Sequence, residues 1–155
     1  MQGMFIAMML GSSPAQAVGV GSSVGVGTTG PGLFLPSLDF HFDPILLQIH
    51  VMEFFNQIDD NDQLYLGANL YVDAHQADLK GPWSGVVQPG GGLDLYIDPT
   101  IMVLTGECRL GAQTATEAGG LGVYVVPSLG IAFGDNIDGD LLAGGALQIS
   151  AWFGN

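Results

Sequence analysis

Positive charge is almost missing from this 155-residue chain: Lys80 and Arg109 stand against fifteen acidic residues, for a formal net charge of -13. A nucleic-acid partner would need cations to replace its phosphate counterions, so that class is excluded. The same shortage excludes a polybasic attachment to anionic lipid headgroups. Cysteine is nearly absent too. Cys108 stands alone, which rules out an intrachain disulfide and a multi-cysteine metal site and leaves the thiol as a small apolar side chain. Long apolar runs are lacking as well: a helical membrane span needs roughly 18 or more nearly uninterrupted apolar residues, and every apolar stretch here is broken by Asp, Gln, His or Gly.

What is present does not suit a surface facing only water. Charged residues make up 11% of the chain, and its mean hydropathy is +0.41. Some surface must meet an apolar medium, and with helical spans excluded the remaining spanning architecture is a closed barrel of short strands that alternate in polarity. The length fits one domain, and no compositional shift marks a linker.

The N-terminus reads as an export signal. Met4 to Leu10 form an apolar core, Gly11 to Pro14 break it, and Ala15-Gln16-Ala17 supply an A-x-A site, so residues 1–17 are expected to be removed and 18–155 to form the barrel. No Lys or Arg precedes the core, and a buried N-terminal helix is the alternative.

Turn-forming residues at 28–31, 43–44, 56–62, 76–82, 98–99, 114–120 and 134–140 leave eight segments, each near the length of a tilted membrane strand. They run approximately 18–27, 33–43, 45–55, 63–75, 85–97, 101–113, 121–133 and 141–153. Successive strand side chains point to opposite faces, and within each segment the polar residues share one parity. Asp39 and His41 oppose Leu38, Phe40 and Phe42; Gln48 and His50 oppose Leu47 and Ile49; Tyr71 and Asp73 oppose Leu70 and Val72; Gln88 and Asp94 oppose Val87 and Leu93; Glu107 and Arg109 oppose Cys108 and Leu110; Tyr124 and Ser128 oppose Val125 and Leu129; Gln148 and Ser150 oppose Leu147 and Ile149. Glu53 is the one charged exception. The first segment alternates Val with Gly and Ser, small residues that leave room inside a narrow lumen. Pro36, Pro89 and Pro127 fall on the apolar parity, where each removes a ladder donor and is expected to mark a bulge or boundary. A soluble sandwich or barrel would also alternate. The polar parity here is thinly charged and rich in Gly and Tyr, which suits an enclosed lumen rather than a solvated face.

With these segments, and with Gly145, Leu147, Ile149, Ala151 and Phe153 alternating at the end, the chain resembles the small eight-stranded bacterial outer-membrane barrels, the group that includes the transmembrane domain of outer-membrane protein A. The resemblance implies an all-β, eight-stranded antiparallel up-and-down transmembrane barrel with both termini in the periplasm. It places the connections at 28–32, 56–62, 98–100 and 134–140 outside the cell, and makes the last strand a signal for the barrel-assembly machinery. In this chain Gly154 and Asn155 follow the aromatic residue at which the family usually stops. The partners it implies are the bilayer and lipopolysaccharide, whose phosphates would have to be reached through bridging divalent cations or partners outside this chain.

Asp39, His41, His50, Asp73, Asp94, Glu107 and Arg109 form the candidate lumen set. In so narrow an interior ionised groups must be paired, hydrated or neutralised, and Glu107 and Arg109, two apart on one face, are expected to pair. His41 and His50 lack the spacing of a metal motif, so no metal or cofactor is expected. Asp59, Asp60 and Asp62, and again Asp135, Asp138 and Asp140, form oxygen-rich loops that suit weak calcium binding without matching an EF-hand. Ser37, Asp39 and His41 are the nearest approach to a nucleophile with its base, and the reading is of a structural, non-enzymatic barrel that supports the envelope or anchors a partner. A narrow porin-like pore or lumenal binding of a small solute is the alternative, and a lipid-modifying enzyme the third.

Overall fold

The computed structural model describes residues 16–27, 30–42, 44–55, 62–97, 100–116, 118–134 and 137–153, with side chains described from Ser37 onward except at 51–63 and at Asp138. The apolar core of the export signal lies outside the described residues. Nine ladder segments follow one another: β1 (Gln16–Gly27), β2 (Gly30–Phe42), β3 (Ile45–Phe55), β4 (Asp62–Val72), β5 (His75–Asp78), β6 (Trp83–Ile97), β7 (Ile101–Thr116), β8 (Gly119–Gly134) and β9 (Ile137–Phe153). Every pairing is antiparallel and runs between neighbours in the chain, except that β1 also pairs β9 and β4 pairs β6. Those two pairings close the sheet into a ring, which excludes the two-sheet sandwich.

The ring has eight strands because β4 and β5 are one strand interrupted. Both lie on β6: Tyr71 opposes Gly90, and after Asp73 and Ala74 the ladder resumes with His75 opposite Val87. Three residues on one side face two on the other, a one-residue bulge. Pro89 sits in this gap on its β4–β5 side while keeping its rung with Cys108 of β7. Pro127 behaves alike. The β7–β8 register is constant on both sides of it, but the rungs between Glu107–Ser128 and Leu110–Val125 are missing, and Pro127 pairs only with Gly145 of β9. A proline lacks one donor, and in both cases the ladder opens on a single side of it.

Several turn expectations shorten. The turn expected at 76–82 contracts to 79–82, where Leu79 N donates to Trp83 O at 2.9 Å and Gly81 takes a φ of 74°. The one expected at 114–120 contracts because β7 continues to Thr116 and β8 begins at Gly119. At 134–140, β8 ends at Gly134 and β9 starts at Ile137. Turn-forming residues at a strand's end are compatible with pairing when the neighbouring strand supplies the ladder. Gly27, Phe55, Ile97 and Gly134, the last residues of β1, β3, β6 and β8, lie at the end opposite the first residue of β1 and the last of β9.

The two faces have opposite chemistry. Leu38, Leu70, Leu93, Leu104, Val125, Leu129, Leu147 and Ile149 are exposed on the outside, whereas Asp39, Gln48, His50, Gln88, Arg109, Gln148 and Ser150 are buried within. Bulky inward rings fit because glycines stand beside them. Tyr71 crosses Gly90 and Tyr124 crosses Gly111, so a Cβ at Gly90 would lie 2.5 Å from the Tyr71 ring and one at Gly111 2.8 Å from the Tyr124 ring and 2.1 Å from Val123 O. Gly111→Ala is therefore expected to cost about 1–3 kcal/mol through overpacking. Gly106→Ala, whose methyl would meet only Leu129 O at 3.9 Å, should change stability by under about 0.5 kcal/mol. Urea unfolding of both variants in detergent micelles, followed by heat-modifiable gel migration, checks the contrast.

Candidate functional site

The lumen is a packed polar interior built from one parity of seven ladder segments. Its centre is Arg109 of β7, fully buried. The guanidinium donates from one terminal nitrogen to Gln88 Oε1 at 2.9 Å and from the other to Ser150 Oγ at 3.2 Å, joining β6, β7 and β9. Its carbon lies 3.8 Å from the Tyr124 ring centre and 5.2 Å from that of Tyr71. A guanidinium between two aromatic faces gains a cation–π contribution of about 0.5–2 kcal/mol, larger where water is excluded. The glycines beneath Tyr71 and Tyr124 hold those rings against the wall and leave room for the guanidinium.

Glu107 takes a different partner from the one its spacing suggests. Its carboxylate accepts from the Tyr71 hydroxyl, and Arg109 spends its terminal nitrogens on neutral acceptors. The physical reason is direction: residues two apart on a strand share a face, but Arg109 is drawn between the tyrosine rings and Glu107 is met by the hydroxyl of one of them.

A second network starts at Asp39 of β2, which is fully buried. Its Oδ1 accepts from Ser37 Oγ and from Gln48 Nε2, both at 2.8 Å. Gln48 Oε1 accepts in turn from Gln148 Nε2 of β9 at 2.9 Å. Strand β1 lies between β2 and β9, and its register sets Gly19 beside Asp39 and Trp152, and Gly21 beside Ser37 and Ser150. With no side chains at those glycines, groups from β2 and β3 reach across to β9. The His41 and Trp152 rings meet by the same route, stacked 4.7 Å apart near the end that carries the termini.

Toward the other end, Tyr65 donates to Asp94 Oδ1 at 2.7 Å and packs on Tyr96 with ring centres 5.0 Å apart. His50 lies nearby, with Asn69 Nδ2 at 3.4 Å from its Nε2.

Six of the seven residues singled out for the lumen lie on the inner face of the ladders, and Asp73, exposed in the interruption between β4 and β5, joins the same network by accepting from Nε2 of the buried Gln88. Trp152, Val86 and Val126 also turn inward, with Val86 and Val126 packing around Tyr124. The parity that placed Gln148 and Ser150 inside also places Trp152, but bulk and hydropathy hid it. Asp138 and Asp140, expected in a loop, belong to β9, opposite Phe133 and Ala132. Asp62 is the first residue of β4, while Asp59, Asp60 and Asp135 lie outside the described residues. Among the described residues no group of three or more His, Cys, Asp or Glu is placed to hold a metal. Ser37 donates to Asp39, and His41 Nε2 has no hydrogen-bond partner, so the nucleophile–base contact needed for hydroxyl activation is not formed.

No family model matches the chain, and no curated protein does. Among solved structures, the crystal structure of Neisserial surface protein A is similar in fold, with a TM-score of 0.59 and 12% identity, covering 93% of this chain and 98% of that one.

The pairing pattern is checked by double-mutant cycles on unfolding free energy. Glu107→Gln and Tyr71→Phe are expected to couple by about 1 kcal/mol or more, as a hydrogen bond to a charged group does. Glu107→Gln and Arg109→Met should couple more weakly. The reverse order would mean that the guanidinium pairs with the carboxylate after all.

Proposed function

We propose that this chain is an integral barrel of a bacterial outer membrane whose role is structural, supporting the envelope or anchoring a partner. The carrying observation is the inverted polarity: side chains such as Leu129, Leu141 and Phe153 are 62%, 77% and 70% exposed while an arginine and an aspartate are wholly buried. In water that arrangement wastes the hydrophobic effect, whereas in a bilayer it places each group in its favoured medium. Strands of 11 to 17 residues, counting β4 with its continuation β5, are long enough to cross when tilted. The β1–β9 and β4–β6 ladders join the sheet's ends, which is what a wall facing lipid needs. The fold similarity to a neisserial surface protein supports the same medium.

A structural role is favoured over a conduit because Arg109, Tyr71 and Tyr124 meet in the lumen and are almost fully buried. Lipid is then the principal partner, with lipopolysaccharide at the outer leaflet. The final strand presents Leu147, Ile149 and Phe153 outward, as a segment recognised by an assembly machinery during insertion would.

Val125 lies halfway along β8 and is 57% exposed. In lipid vesicles Val125→Arg is expected to lower folding stability by about 2–4 kcal/mol, the cost of a cation near the bilayer midplane. A change within about 0.5 kcal/mol, as at an ordinary solvated position, would contradict membrane insertion.

A further inference from the structure

We infer that the lumen binds a small hard monovalent cation, of the sodium class, with the free oxygen of Asp39 as its charged ligand. The inner set is out of charge balance. Asp39, Asp94 and Glu107 face one cation, Arg109, and Arg109 directs its terminal nitrogens at Gln88 and Ser150. The hydrogen bonds to these carboxylates come from neutral groups: Ser37 and Gln48 at Asp39, Tyr65 at Asp94, and Tyr71 at Glu107. Neutral donors relieve desolvation without cancelling charge.

Asp39 differs from the other two because one whole oxygen is left over. Both donors go to Oδ1, and Oδ2 is buried without a partner. The carboxylate also sets the direction of the relay attached to it. Since Asp39 only accepts, Gln48 must turn its amide nitrogen toward it and its oxygen away. Gln148 must then offer its own nitrogen to that oxygen, and its Oε1 is left as a second buried acceptor without a partner. Asp39 and Gln148 are both more than nine-tenths buried, and each leaves one oxygen acceptor without a hydrogen-bond partner. Water would meet the lone pairs without adding charge. A hard cation coordinates the lone pairs and supplies the charge, and one carboxylate with a neutral amide oxygen suits a single positive charge rather than a transition metal.

The test compares the unfolding midpoint of the whole folded protein in neutral detergent in sodium chloride and in choline chloride at equal ionic strength, since the quaternary ammonium of choline is no hard cation for oxygen ligands. Sodium is expected to raise the midpoint by about 3–5 °C, the effect of roughly tenfold saturation on a chain of this size. Asp39→Asn keeps an oxygen for Ser37 and Gln48 and puts a donor in place of Oδ2, so it should abolish the difference and raise the midpoint in choline. Asp140→Asn, which removes an exposed charge, should leave the difference intact. Equal midpoints of the unaltered protein in the two salts would overturn the inference even if Asp39→Asn fails to fold. So would a sodium effect that survives Asp39→Asn.

Discussion

The sheet of this barrel closes on itself, and the rest of the structure follows from that. Two pairings carry the constraint: β1 with β9, and β4 with β6. Without them the sheet would end in two open ladders, which hydrocarbon cannot satisfy. Once the ring is closed, strand alternation divides the side chains into an outer and an inner set, and the narrow bore decides how the inner set packs. The wall departs from full pairing on one side of Pro89 and of Pro127, at register shifts beside Gly25–Gly27 and Ala132–Phe133, and where the β2–β3 ladder stops at Ser37 and His50.

Closure around a small bore makes glycine placement decisive. Gly90 and Gly111 let Tyr71 and Tyr124 lie against the wall, and those rings frame Arg109. On the opposite side, the glycines of β1 let His41 reach Trp152 across one intervening strand and Gln48 reach Gln148 across two. The lumen is thus held by contacts between strands that are not neighbours, and these tie together the sheet's distant parts in a way that ladder bonds do not.

Much of this was legible in the residues. Eight segments, their shared parity and the inward direction of Asp39, His50, Asp94 and Arg109 all follow from a period of two between turn signals. What was hidden depends on three-dimensional neighbours. Asp73 shares the parity of Tyr71 and the same network, through Gln88, but its exposure comes from the interruption after the β4 ladder, which parity does not show. The segment at 76–78 looks like a turn because it contains Gln and Asp, yet β6 is long enough to pair with it. Arg109 and Glu107 look like partners along one strand, but their choices are set by Gln88, Ser150 and Tyr71 on other strands, whose heights depend on the register between strands. Asp138 and Asp140 look like loop residues because acidic groups cluster at 134–140, although pairing with β8 holds them in β9.

The proposed function stands on which medium touches which face. The most direct measurement places a nitroxide label at each position from 121 to 131 of β8 in turn, with Cys108 replaced by Ser, in the protein reconstituted in vesicles. Collision rates with oxygen, which concentrates in lipid, and with a water-soluble nickel complex then report the surroundings of each position. Labels at 121, 123, 125, 129 and 131 should collide with oxygen and be shielded from nickel, while those at 122, 124 and 126 should be shielded from oxygen, giving a period of two. High nickel access at the odd positions would mean that water covers the leucines and valines of the outer wall, and the membrane reading would fall.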